Sequence, residues 1–218
     1  MSETENPTPF TLAPAETIAP ARKRPKPGER RVQILQALAT MLEQPGAERV
    51  TTAALAARLE VSEAALYRHF ASKAQMFEGL IEFIEQTVFA LVNQIAERES
   101  SASDAAAGAR HAGMVVTMLL QFAEKNPGMT RVMVGDALVF ENERLQQRMN
   151  QFFDKIEATL KQCLREGAQV SGAASVDAQV LASVLTAFVV GRLQRFARSG
   201  FRRMPTEHLD FALAHLSA

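Results

Sequence analysis

Apolar residues recur at three- and four-residue spacing in one segment after another, and no stretch keeps the period of two that marks a half-buried strand. From Arg30 to Gln44, the positions Ile34, Leu35, Leu38, Met41 and Leu42 predict a first helix, ended by Pro45-Gly46. Leu55, Ala56, Leu59, Val61, Leu66 and Phe70 then fit two short helices packed at an angle across the Glu60–Ser62 turn, a helix-turn-helix pattern. The first of the pair runs from about Thr52 to Leu59 behind a Thr51 cap. The second runs from Glu63 to Phe70 behind Ser62. Ser72 opens a long fourth helix, because Gln75 stands three residues on and completes a capping box with the Ser72 amide. Its stripe of Phe77, Leu80, Ile81, Ile84, Val88, Leu91 and Ile95 reaches Arg98, on the order of 39 Å of helix. A second row, Met76, Leu80 and Phe83, widens the apolar surface beyond one contact face.

After a polar break at Glu99–Asp104, Ser103 is placed to cap a fifth helix carrying Met114, Val115, Met118, Leu119 and Phe122, which stops near Asn126-Pro127-Gly128. A short helix follows through Thr130–Val134. The seventh, about Glu141–Glu166, holds Leu145, Met149, Phe152, Ile156 and Cys163 at coiled-coil-like steps, interrupted by the polar Thr159. Gly167–Ala174 reads as a loop, and Ser175 as the cap of a helix bearing Val180, Leu181, Val184, Leu185, Phe188 and Phe196. Beyond Pro205 a last helix offers Leu209, Ala212, Leu213 and Leu216. The expected fold is all-α, about nine helices, with a three-helix DNA-binding head at 28–88 on a larger helical bundle at 89–218. Residues 1–27, proline-rich and without helical periodicity, are expected to be disordered.

Composition narrows the function. The formal net charge of the 218 residues is zero, so attraction to nucleic acid must come from a local cluster. One such cluster is RKRPKPGERR, Arg22–Arg31, just ahead of the helix-turn-helix. The single cysteine, Cys163, allows no internal disulfide and fits a reducing cytosol. No apolar leader and no run of eighteen apolar residues is found, so a cytoplasmic protein without a membrane segment is expected. His111, His208 and His215 lack partners at metal-ligand spacing, and no nucleophile, phosphate-loop or paired-carboxylate signature occurs. Neither a metal, a cofactor nor an enzyme is expected.

The outward face of the third helix offers Ala64, Ala65, Tyr67, Arg68 and His69, small residues that permit close approach and groups that bond base edges or phosphates. Lys73 stands in the first turn of the fourth helix against the dipole preference, which makes a DNA phosphate its natural partner. With Thr51 and Thr52 at the neighbouring helix start, Ala65, Tyr67, Arg68, His69 and Lys73 form the candidate DNA surface. Its target is double-stranded DNA.

Three helices before a long fourth, with LYRHF at Leu66–Phe70 and Ser72-Lys73, resemble the TetR family of DNA-binding regulators. VSEAALYRHF at Val61–Phe70, Met76-Phe77, LIEFIE at Leu80–Glu85, Asn126-Pro127-Gly128, Thr130-Arg131 and the stretch Ala137–Ala158 resemble in particular the members of that family that act in nucleoid occlusion. The resemblance implies a homodimer on palindromic chromosomal sites that blocks assembly of the tubulin-like division protein FtsZ, hence a nucleoid-associated location. It further implies that helices eight and nine build the dimer, here with Val184, Phe188, Phe196 and Leu213 in the seam. The acceptor for the FtsZ tail would be a groove between helices four and five, carried over onto Phe83, Met118, Gln121, Phe122, Lys125 and Asn126. One departure stands in the turn, where the family usually has glycine and this chain has Glu60; a left-handed residue there costs on the order of 1 kcal/mol. The alternative function is a ligand-responsive TetR-type repressor with an apolar pocket lined by Met114, Met118, Phe122, Phe152 and Phe188.

Overall fold

The periodic segments become helices in the computed structural model, which describes residues 28–44, 50–99, 107–171 and 175–216. The head consists of α1 (Glu29–Leu42), α2 (Thr52–Arg58) and α3 (Glu63–Tyr67), and α4 (Lys73–Glu99) leads out of it. The bundle follows with α5 (Ala107–Lys125), α6 (Pro127–Met133), a 3-10 turn at Asp136–Leu138, α7 (Glu143–Ser171), α8 (Ser175–Arg198) and α9 (Leu209–Leu216). No strand occurs among the described residues. The tail 1–27, Pro45-Gly46 and Ser103 lie outside them, as do the side chains of Gly167–Ala174 and Ser175.

Local side chains set the helix starts in the head. Thr51 Oγ1 accepts the Ala54 amide at 3.2 Å, Ser62 Oγ the Ala65 amide at 3.3 Å, and Ser72 Oγ the Gln75 amide at 3.2 Å. The capping box differs from expectation in one bond: Gln75 Oε1 accepts from the Ala71 amide, 2.8 Å away, instead of that of Ser72. Glu60 is left-handed, with φ 52°. Its amide bonds Ala57 O at 3.1 Å and the Val61 amide bonds Ala56 O at 3.0 Å, which together make the Schellman close of α2. Helix α3 ends at Tyr67, short of Phe70, and the released Phe70 turns into the core, where its ring is buried.

The α4 stripe is buried from Phe77 to Val88, after which Val92 takes the inward position that periodicity assigned to Leu91. The α7 seam is answered inside the chain. Leu145, Met149, Phe152, Ile156 and Cys163 are all buried, Leu160 fills the step that Thr159 misses, and the helix packs on α5 and α8. Burial pushes the Cys163 thiol up to about 11, as suits a core residue that does not ionise at neutral pH. The loop expected at Gly167–Ala174 is corrected: α7 continues to Ser171, because one internal glycine costs a helix only about 1 kcal/mol.

Asn126-Pro127-Gly128 is a junction more than a stop. Pro127 opens α6 at N1, where a missing amide costs nothing. A Cβ on Gly128 would lie 1.9 Å from the backbone oxygen of Ala39, so only glycine lets α6 pack this close to α1. Ala178–Arg198 of α8 is long and apolar enough, by length and composition, to cross a membrane, at mean hydropathy 1.4. Its inward side, with Ala182, Leu185, Val189 and Leu193, is buried, and α8 packs on α5, α6 and α7.

Candidate nucleic-acid interface and partner groove

Tyr67 projects from α3 with 45% of its surface exposed, flanked by exposed Arg68 and His69 and half-buried Ala65. Thr51 is exposed, although its hydroxyl is occupied as the α2 cap. The Thr52 hydroxyl donates to Glu63 Oε2 at 2.6 Å, tying the starts of α2 and α3 together. Arg31, counted in the basic stretch, has a structural duty: its Nη1 donates to His69 O at 2.6 Å and its guanidinium stacks 4.2 Å from the Phe70 ring centre. It closes the C-terminal end of α3 and so holds Tyr67, Arg68 and His69 outward.

The anion expected beside Lys73 is present, and the chain itself provides it. Lys73 Nζ lies 2.5 Å from Glu141 Oε1, and the Glu141 side chain is only 10% exposed. A carboxylate just ahead of α7 thus meets both the charge and the helix end within the chain itself. Two further rungs follow down the same pair of helices: Arg144 with Glu78, and Arg148 Nη2 with Glu85 Oε2 at 2.5 Å, doubled by Nε to Oε1 at 3.3 Å. The hydrogen bond to Glu85 outweighs desolvation and raises the Arg148 pKa above its ordinary value. This ladder joins the head-side end of α4 to α7. Its sequence signal was available, with Glu78, Glu82 and Glu85 on one helix facing Arg144 and Arg148 on the other at matching helical steps.

The α4–α5 residues separate by exposure. Phe83 stands out with 46% of its surface free, and Lys125 is exposed at the end of α5. Phe122 is buried and Met118 packs half-buried on the core. Asn126 is half-buried, its Nδ2 donating to Phe122 O at 2.7 Å, so it shapes the α5–α6 corner. Gln121 points elsewhere: with Thr117 it lines a concavity of about 300 Å³ against Thr206 and His208–Phe211, on the α9 side of α5. Phe152, offered as a pocket residue, is fully buried with the Phe89 and Phe153 rings edge-on at 5.7 and 5.1 Å.

The seam residues divide in the same way. Val184 is 43% exposed and Phe188 half-buried, with Arg192 stacked 4.9 Å from its ring centre. Phe196 is 1% exposed and meets Phe201 edge-on, and Leu213 turns towards Gly113 of α5. Both therefore support the outer face from within. Exposed Val180 and Phe211 join Val184 on the surface; Phe211 was missed because it falls one step off the periodic positions of α9.

Comparison with known proteins bears on the whole of this arrangement. Residues 34–80 match the family of bacterial regulatory proteins of the tetR type, and residues 110–217 match the tetracyclin repressor-like C-terminal domain of SlmA-like proteins. The nucleoid occlusion factor SlmA of Aliivibrio fischeri is 51% identical over 196 residues, 89% of this chain and 97% of its own. That of Idiomarina loihiensis is 52% identical over 182 residues, 83% of this chain and 90% of its own.

The chain belongs to the SlmA family.

The length matched to SlmA thus takes in both halves of the molecule. Among solved structures, the transcriptional regulator FadR of Bacillus subtilis, in complex with stearoyl-CoA, matches with a TM-score of 0.67 at 15% identity over 86% of this chain and 97% of its own. FadR of Bacillus halodurans gives 0.66 at 16% identity over 89% and 97%. These likenesses establish a TetR-type fold for this SlmA-family chain.

Proposed function

We propose that this chain is a nucleoid occlusion factor: a homodimer that binds specific chromosomal sites and, while bound, inhibits FtsZ assembly, keeping the division ring off the nucleoid. The observation that carries the reading is identity near one half with nucleoid occlusion factors over about nine-tenths of the chain, through bundle as well as head. The exposed Tyr67–His69 face supports DNA contact by α3, with Thr51, Thr52 and Ala65 at its edge and Lys73 joining once it exchanges Glu141 for phosphate. Exposed Phe83 with Lys125 supports a groove for a tail that is both apolar and acidic, framed by Met118, Phe122 and Asn126. Val180, Val184 and Phe211 support a two-fold seam on α8 and α9, which sets half-sites about one helical turn apart. The protein acts in the cytoplasm on the nucleoid.

The test separates the two partners. Site selection from random duplexes should return a palindrome. Tyr67→Ala should then lose it and stay dimeric, while Phe83→Ala should keep DNA and lose FtsZ. A Phe83→Ala chain that binds FtsZ as the parent does would remove the groove assignment. A Phe83→Ala chain that unfolds would make Phe83 a core residue.

A further inference from the structure

We infer that the head-proximal end of the bundle carries a second DNA contact, in which Arg192, Arg195, Arg202 and Arg203 grip the phosphates between the two half-sites. This rests on the DNA-binding dimer proposed above. The charge is concentrated: from Arg192 to Arg203 there are five arginines and no acidic residue, in a chain whose net charge is zero.

The surface is shaped by the end of α8. Gly200, at φ 62°, and Phe201 close the helix in a Schellman motif, with Phe201 N on Phe196 O at 2.9 Å and Gly200 N on Ala197 O at 3.1 Å. The Phe196 and Phe201 rings seal it, their centres 5.1 Å apart. Ser199 Oγ then accepts the amides of Arg202 and Arg203 at 3.1 and 2.9 Å, which folds both residues back beside Arg192 and Arg195. The result is a concavity of about 490 Å³ lined by those four arginines, Glu207 and His208.

The guanidinium groups are not neutralised there. Arg192 donates to the backbone oxygen of Glu207 and Arg202 to that of Ser199, each at 2.9 Å. The Glu207 carboxylate has His208 as its neighbour, at 3.7 Å. Among the described residues no ion pair is found for any of the four arginines. Every lining side chain is polar or charged, so the site offers planar bidentate donors without an apolar anchor, which suits phosphate better than a peptide.

Its place in the molecule points to the duplex. Arg131 of α6 stacks 5.1 Å from the Phe201 ring centre, and α6 is the helix pressed on α1 at Gly128. The arginines are thus one helix away from the head. Val184, Phe188, Arg192 and Arg195 follow one another along one face of α8, so a dimer formed on the apolar part brings two basic ends to the two-fold axis. That axis passes through the centre of the palindrome. Paired like charges of this density favour a polyanion, and DNA between the half-sites provides one.

The experiment uses the full chain and its selected duplex. Arg195 and Arg203 are exposed and their side chains make no hydrogen bond among the described residues, so the double variant Arg195→Gln, Arg203→Gln should fold and dimerise. Binding is measured across a salt series on the native duplex and on one with methylphosphonates replacing the central phosphates. The variant should bind several-fold more weakly and lose about one unit of salt slope per lost contact, with sequence preference unchanged. Central neutralisation should weaken the parent and leave the variant nearly unaffected. A parent that binds while the variant keeps the parent's slope overturns the inference alone. A parent that selects no duplex overturns the DNA reading with it.

Discussion

Glu60 is the residue where local preference and fold disagree most openly. Its left-handed φ of 52° is a geometry that glycine adopts freely, and Glu60 retains an interaction that a glycine would forgo. Glu60→Gly should still raise stability by about 1 kcal/mol, read from urea midpoints at constant m-value, with DNA affinity unchanged. A lower midpoint would mean that the side-chain contact outweighs the backbone strain. This position was legible through the resemblance, because the family usually has glycine in that turn where this chain has Glu60. Lys73 was legible only in part. Its unfavourable helix-start position called for an anion, but the carboxylate of Glu141, 68 residues away, follows from packing and from nothing local. Phe196 and Leu213, placed on a helix face by periodicity, and Gln121, placed by resemblance, mark the same boundary: neither signal could say which neighbour that face would meet.

Helix α4 is the element that would join the two proposed partners, since its first turn lies beside the exposed Tyr67–His69 face and its third carries Phe83. The ladder to α7 holds that helix, and its top rung is also the proposed phosphate ligand. Glu141→Gln should free Lys73, strengthening DNA binding several-fold and steepening its salt dependence. Thermal stability should change little, because partly exposed ion pairs contribute on the order of 1 kcal/mol or less. Unchanged DNA binding with a lowered melting temperature would make the pair purely structural. Helix α6 is the second joint. Gly128→Ala drives a methyl group into the Ala39 carbonyl, and separation of α1 from α6 should cost on the order of 3 kcal/mol. A melting temperature equal to the parent's would contradict that close approach.

At the scale of the molecule, the all-helical class, the capped head and the long fourth helix were readable from spacing, caps and breakers, which are local signals. The extension of α7, the α6–α1 contact and the arginine concavity were not, because each depends on how distant helices come together. On the proposed reading the DNA-facing groups gather at one end, α3, the Lys73 rung and the basic end of α8, with the Phe83 face on the helix that leaves them. The proposed function makes DNA occupancy a condition for action on FtsZ. Sedimentation of FtsZ polymer in the presence of the dimer, with and without its selected duplex, tests this most directly. The account predicts polymer loss that is strong with the selected duplex, weak without DNA or with a scrambled duplex, and absent for Phe83→Ala. Equal sedimentation of FtsZ under all of these conditions would contradict it.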